Sequence, residues 1–396
     1  MNRFETMKTN ILLTLTASLL PFAAHAGFSL PSGSSSPGDG ISNVLSGSVA
    51  NGALYFQSST NWLNSGSPSK PYALTNYYTL PVCDSISVAR IVTTVWGGTA
   101  NYSDQMTVTI NGTNLPLGNP LTFGTTADTN AEFSTTAVDV YGVGSGLWVV
   151  ALPVPPALLF KNGASNSIVI TQTTPDTFDG RIHHVTLLAV YQSSTLANTF
   201  DYAIAEGSGD IFKSPSGTQV SQRNVAFAAV NPTNATAATI TALYTYGDTG
   251  QNDRLYFNGV QYGSDDVAQW DKSIANYGPS IVSFDVLASL ANHNTLTFSV
   301  GSDVPATQET SLRPQLAALA VTRAATTILA PTLAITVQTN LARLTITGES
   351  NRTYTVLSSP DLLNWSTNAS FVSSNAVSQW SVPATNATRF FRVMAQ

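Results

Sequence analysis

Charge is what this chain of 396 residues has least of: Asp, Glu, Lys and Arg together make up 10%, where about 25% is usual in soluble proteins. Its 16 basic residues form no stripe, and the net charge is -6. Nucleic-acid binding needs clustered Lys and Arg to neutralise phosphates, so no nucleic-acid partner is expected. Cysteine occurs once, at Cys83. That excludes an internal disulfide and leaves stability to the size of the core. Cys83 reads as a buried, inert thiol; an intermolecular disulfide is the alternative. After residue 26 no stretch approaches about 18 continuous apolar residues, so no membrane span is expected. Phosphate-loop and dinucleotide fingerprints are missing, and Gly142-Val143-Gly144-Ser145-Gly146 lacks the strand-to-helix setting of a nucleophile elbow.

Ser, Thr, Asn, Gly and Ala fill the space that charge leaves. Lys8, an apolar run over residues 11–24, and Ala24-His25-Ala26 as a small-x-small site read as a secretory signal over residues 1–26. An uncleaved anchor is the alternative. Residues 27–43, rich in Ser, Pro and Gly, read as a flexible arm. From there on, short runs of Val, Ile, Thr, Tyr and Phe alternate with Gly, Asn, Pro and Ser clusters, the pattern of an all-β sandwich.

Two stretches share three landmarks in one order. A strand over residues 86–96 before Gly97-Gly98 matches residues 238–246 before Gly247. Asn111-Gly112, after an alternating run, matches Asn258-Gly259; this dipeptide is a hairpin signal because both turn residues need positive φ. Trp148, a Pro-rich bend and Asn166 match Ile281, a bend with Asp285 as cap of one helical turn, and Asn294. Both stretches end on a doubly apolar strand: Val185, Leu187, Ala189 and Tyr191 on one face with Leu188 and Val190 on the other, echoed over residues 312–321. The expectation is two duplicated antiparallel β-sandwich domains, jelly-roll-like, at 44–195 and 196–323. A linker at 324–330 and a small C-terminal β-domain at 331–396 follow, with Trp365 and Trp380 in its core.

On these residues the two large stretches resemble a family of tandem β-sandwich domains of unknown function found in bacterial and archaeal cell-surface proteins. The resemblance implies no catalytic residues. Residues 116–141 look like an insertion into its pattern. The tail, from Tyr354 through Pro360, Asp361 and Trp365 to Arg389-Phe390-Phe391-Arg392-Val393, is similar to a C-terminal β-domain of exported proteins from Verrucomicrobia and Planctomycetes. That resemblance implies an extracellular or envelope-associated life.

Several groups could carry chemistry. His183-His184, near Asp176, Asp179 and Arg181, reads as structural, because adjacent strand residues point to opposite faces; a metal or acid–base site is the alternative. Asp248, Asn252 and Asp253 could supply oxygen ligands to a structural Ca²⁺, or form an ordinary Asx-rich turn. Asp265, Asp266 and Asp271 could pair carboxylates for glycoside hydrolysis, against a reading as solvated acidic loops. Trp62, Tyr72, Tyr77 and Tyr78 are candidate sugar-stacking aromatics, against core filling.

The expected function is a secreted, non-enzymatic structural or adhesive protein of the bacterial cell surface or extracellular matrix. Its expected partners are extracellular polysaccharide or further copies of itself, the latter through strand addition by the arm. The first alternative is a carbohydrate-binding protein acting through loops at one end of a sandwich; a glycan-degrading enzyme is more distant.

Overall fold

A computed structural model describes residues 39–59, 72–96, 104–116, 121–123, 133–134, 139–144, 147–172, 181–209, 211–212, 222–245, 247, 250, 252–267, 279–300, 311–325, 331–338, 340–350, 352–384 and 389–395. The expected signal segment lies outside them. The chain divides into two compact units, Met1–Ala324 and Ala325–Gln396.

In chain order the first unit opens with β1 (Asp39–Ala50), β2 (Gly52–Ser58), β3 (Tyr72–Thr79), β4 (Ser85–Trp96), β5 (Asp104–Ile110) and β6 (Thr113–Asn114). Next come β7 (Leu121–Phe123), β8 (Phe133–Ser134), β9 (Asp139–Gly144), β10 (Leu147–Pro153), β11 (Ser165–Gln172) and β12 (Arg181–Gln192). A second series holds β13 (Asn198–Gly209), β14 (Ile211–Phe212), β15 (Gln222–Ala226), β16 (Ala235–Thr245) and β17 (Asp253–Phe257). It closes with β18 (Val260–Tyr262), β19 (Pro279–Asp285), β20 (Thr295–Val300) and β21 (Ser311–Ala324).

The strands β2-β12-β4-β10 lie side by side and face the sheet β3-β11-β5-β6; β13-β21-β16-β19 in the same way faces β15-β20-β17-β18. With the short extra strands set aside, both halves follow one order, first-eighth-third-sixth over second-seventh-fourth-fifth. That is a jelly roll, written twice. In the first, β7, β8 and β9 fall where the insertion is expected.

Local chemistry repeats with the topology. Asn111 and Asn258 both sit at φ 50, each followed by glycine at φ 79. The Asn111 amide donates to Leu158 O at 2.8 Å and to Asn166 Oδ1 at 2.9 Å, while Ser167 N donates back to its Oδ1 at 2.9 Å. Asn258 does the same with Ser289 O, Asn294 Oδ1 and Thr295 N, at 2.7, 2.8 and 2.8 Å. Each hairpin is thus latched to the helical turn and the strand that follow it, and only a side chain with both a donor and an acceptor can do this. Asp285 was expected to cap its turn; the N-cap is Val286, with no side-chain capping bond, and Asp285 instead accepts locally from Leu287 N at 3.0 Å. Bulges repeat as well: His183 on β12 corresponds to Gln315 on β21, and Ser87 on β4 to Thr236 on β16.

Three cores separate four stacked sheets. Val185, Leu187 and Ala189 of β12 enter the first with Trp148 and Ile168; Ala317, Leu319 and Val321 of β21 enter the second with Phe257 and Phe298. The other faces of these strands meet each other. Leu188, Val190, Val92 and Val149 pack against Phe200, Ile204, Leu243 and Leu316 in a middle core. The closing strands are apolar on both sides because each lies inside a four-layer stack.

β1 departs from the expected organisation. The arm was expected to run to residue 43, but the strand begins at Asp39, with Ile41 buried. Although β1 precedes the first jelly roll, it pairs with β13, Asp39 opposite Gly209, and extends the sheet of the second.

The second unit holds β22 (Thr332–Gln338), β23 (Leu341–Thr347), β24 (Arg352–Ser359), β25 (Ser366–Ser373), β26 (Val377–Pro383) and β27 (Phe390–Ala395), in two sheets, β22-β23-β26 and β25-β24-β27. Tyr354, Leu344, Ile346 and Val356 form its core. The Tyr354 hydroxyl donates to Glu349 O at 2.8 Å and fills the space that a Cβ at Gly348 would need. Trp380 packs against this core, as expected. Trp365 does not: its ring lies under the Arg392 guanidinium at 4.3 Å, on the outer face.

Candidate functional site

The histidine pair lies at the seam between the jelly rolls. His183 is the bulged residue of β12, so the strand resumes its alternation at His184, whose ring faces the second jelly roll. There His184 Nε2 is 2.7 Å from Gln315 Oε1 and 2.9 Å from Thr94 Oγ1, and Nδ1 is 2.9 Å from Thr186 Oγ1. The Gln315 amide in turn donates to Thr245 Oγ1 at 2.8 Å. The carbonyl of Gln315 only accepts, which places the imidazole proton on Nε2 and leaves Nδ1 as acceptor. Burial lowers the pKa of His184 to about 4, against the opposing effect of Gln315. His183 is lowered to about 3, first by burial and then by His184, Arg181 and Arg313. Both rings are neutral near pH 7, and His184 bridges strands from both halves. Asp176 and Asp179 lie outside the described residues, among which no group of three His, Cys, Asp or Glu could hold a metal.

A second polar contact at the seam was not singled out in the sequence. Arg90 of β4 donates from Nε and Nη2 to the two carboxylate oxygens of Glu206 on β13, at 2.5 and 2.6 Å, with both side chains buried. This bidentate geometry suits a guanidinium and a carboxylate. The available signal was a charge inside an apolar run, Val88-Ala89-Arg90-Ile91 and Ala203-Ile204-Ala205-Glu206. Two such runs do not reveal that they face each other.

The three described candidate aromatics, Tyr72, Tyr77 and Tyr78, do not share one face of β3. Tyr78 is buried in the first core with its hydroxyl donating to Val185 O at 2.5 Å, and Tyr72 packs at the margin of that core. Tyr77, on the opposite face of β3, is 67% exposed. Trp62 lies outside the described residues. Strand alternation alone separates Tyr77 from Tyr78.

Of the acidic residues, Asp253 and Asp266 come together across a parallel bridge. Asp253 is buried at the start of β17, its Oδ1 accepting from Val267 N at 2.6 Å; Asn252, next to it, is only partly buried. Asp248 and Asp271 lie outside the described residues. Asp265 accepts from Gln261 and Arg254, both at 2.9 Å, and these contacts hold its carboxyl below the usual range. Asp266 accepts from Gly250 N at 2.7 Å. Asp253 and Asp266 form a parallel bridge, so these acids tie the turn after β18 to β17.

Fold and seam together define a tandem jelly-roll protein whose halves share a desolvated, hydrogen-bonded interface. The model of the family described as "Protein of unknown function (DUF3344)" matches residues 37–322, and the chain belongs to that family. No curated protein matches. Among solved structures, a peptide-N(4)-(N-acetyl-β-D-glucosaminyl) asparagine amidase shares 10% identity, covering 69% of this chain and 97% of its own, at TM-score 0.25. The major capsid protein P2 of bacteriophage PM2 shares 10%, covering 68% and 98%, at 0.21. A β-porphyranase from Bacteroides plebeius shares 9%, covering 67% and 37%, at 0.21. Likeness this distant carries no argument.

Proposed function

We propose that this protein is a secreted, non-enzymatic structural or adhesive element of the bacterial cell surface or extracellular matrix. One observation supports the reading above the rest. The residues whose chemistry stands out, His184, Gln315, Arg90 and Glu206, are used to join two jelly rolls into a four-layer body, and Asn111 and Asn258 to pin its hairpins. A body braced in this way keeps its shape under load and displays its outer faces and loops in fixed positions. Export through residues 1–26 and the cell-surface character of the C-terminal unit belong to the same proposal.

The test has two arms. Sedimentation and electron microscopy of the purified protein over a concentration series should reveal assemblies, or surfaces coated with it should retain bacterial cells or matrix. A protein that stays monomeric and holds neither would sink the reading. Release of reducing sugar from a polysaccharide, abolished by Asp265→Asn or Asp271→Asn, would replace it with an enzyme.

A further inference from the structure

The outward face of the sheet β3-β11-β5 differs from the seam in kind. Leu74, Tyr78, Ile168, Ile170, Val108 and Ile110 point into the first core, so Thr75, Tyr77 and Thr79 of β3 point out. By register Tyr77 lies opposite Ser167, Thr75 opposite Val169 and then Thr109, and Ala73 opposite Thr171 and then Thr107. Among the described residues of this face none is charged. The result is a field of hydroxyls interrupted by Val169 and Ala73, on strands about 4.8 Å apart, with one phenol ring standing 67% exposed at its edge strand.

We propose that this face binds a neutral polysaccharide, the chain stacking a sugar ring on Tyr77 and exchanging hydrogen bonds with the Ser and Thr hydroxyls beside it. The chemistry of the face selects this ligand class. A pyranose offers an apolar C–H face and a polar rim. An exposed tyrosine offers an apolar ring with a polar tip, and hydroxyls both donate and accept. An anionic polymer would require Lys or Arg to offset its charge, and the described residues of the face include neither; a protein partner would want an apolar centre larger than one ring. The outward face of β15-β20-β17 is a contrast within the same molecule: it carries a charged pair, Arg254 with Asp265. The proposal rests on the adhesive reading and names the material adhered to.

Retention of the full chain on insoluble β-glucans, cellulose and chitin, with alginate and pectate as anionic counterparts, tests it. Retention is expected on at least one neutral polymer and on neither anionic one. Tyr77→Ala should weaken it tenfold or more, Tyr77→Phe should keep most of it, and Tyr256→Ala, on the contrasting face, should leave it unchanged. Thermal unfolding of each variant confirms the fold. Wild-type protein retained on no neutral polymer, retained preferentially on an anionic one, or held as well after Tyr77→Ala would overturn the proposal. The assembly and coating experiments do not depend on these polymers, so the scaffold reading can stand when the sugar face falls.

Discussion

Acid should loosen the first unit well above the pH at which carboxylates titrate. His183 and His184 are buried as neutral rings with pKa values lowered to about 3 and about 4, burial being the main cause in both. In the unfolded chain each returns to about 6.5. A histidine with a depressed folded pKa contributes its full stability above 6.5, and loses it as pH falls below that value, because the unfolded state takes up the proton first. The loss runs at about 1.4 kcal/mol per pH unit per ring, so that by pH 5 each has cost about 2 kcal/mol and the pair about 4. Against a typical domain stability of about 5–15 kcal/mol this is large. Urea unfolding followed by the fluorescence of Trp148, buried in the first core, should show the midpoint nearly level above about pH 7 and falling from about pH 6.5 to 5. His184→Gln should remove about half of that slope. Asp201 does not confuse the measurement. Burial pushes its carboxyl up, the Arg323 contacts outweigh this, and the net pKa is lowered, so its contribution is lost only below about pH 4. A midpoint that is flat between pH 7.5 and 5, or a slope unchanged in the His183→Asn/His184→Gln variant, would refute the reasoning.

Other outcomes follow from the same contacts. Glu206→Gln or Arg90→Met alone should cost about 3–5 kcal/mol by stranding a buried charge, while the Arg90→Met/Glu206→Leu pair recovers most of it; chemical denaturation reads both. Asn258→Ala should cost about 1–3 kcal/mol, because the buried Asn294 side chain loses a hydrogen-bond donor, and Asn111→Ala should cost a similar amount through the buried Asn166. The Cys83 thiol is buried, and burial raises its pKa; alkylation by iodoacetamide should therefore be slow in the native protein and fast in urea. Leu344→Ala, in the core of the second unit, should cost about 2–5 kcal/mol. In calorimetry it should shift one transition and leave the first unit's unchanged.

The repeat was legible because its markers are local. An Asn-Gly turn demands positive φ at both residues, and Asn111 and Asn258 announce themselves wherever the rest of the chain goes. Doubly apolar closing strands were legible too, as strands buried on both sides. What covers their second face was not, since Leu188 meets Ile204 and Leu316 only when whole sheets stack. The histidines were expected to point apart as strand neighbours; the bulge at His183 that sets where His184 faces is a matter of register, to which the pattern of side chains gives no clue. Trp365 was assigned to the core on bulk alone, whereas Arg392 holds it outside. Tyr77 and Tyr78 part for a simpler reason: neighbours along a strand point to opposite faces.

The placement of β1 bears on how the protein is made. Its hydrogen-bonding partner on β13 is synthesised only after the whole first jelly roll, and β13 in turn awaits β21, at the far end of the second. A leading segment left for so long without its mate has an unpaired edge that neighbouring molecules can capture. Contacts so distant along the chain also fold slowly. β1 therefore acts as a late bolt, and completion of the tandem fold waits on β21.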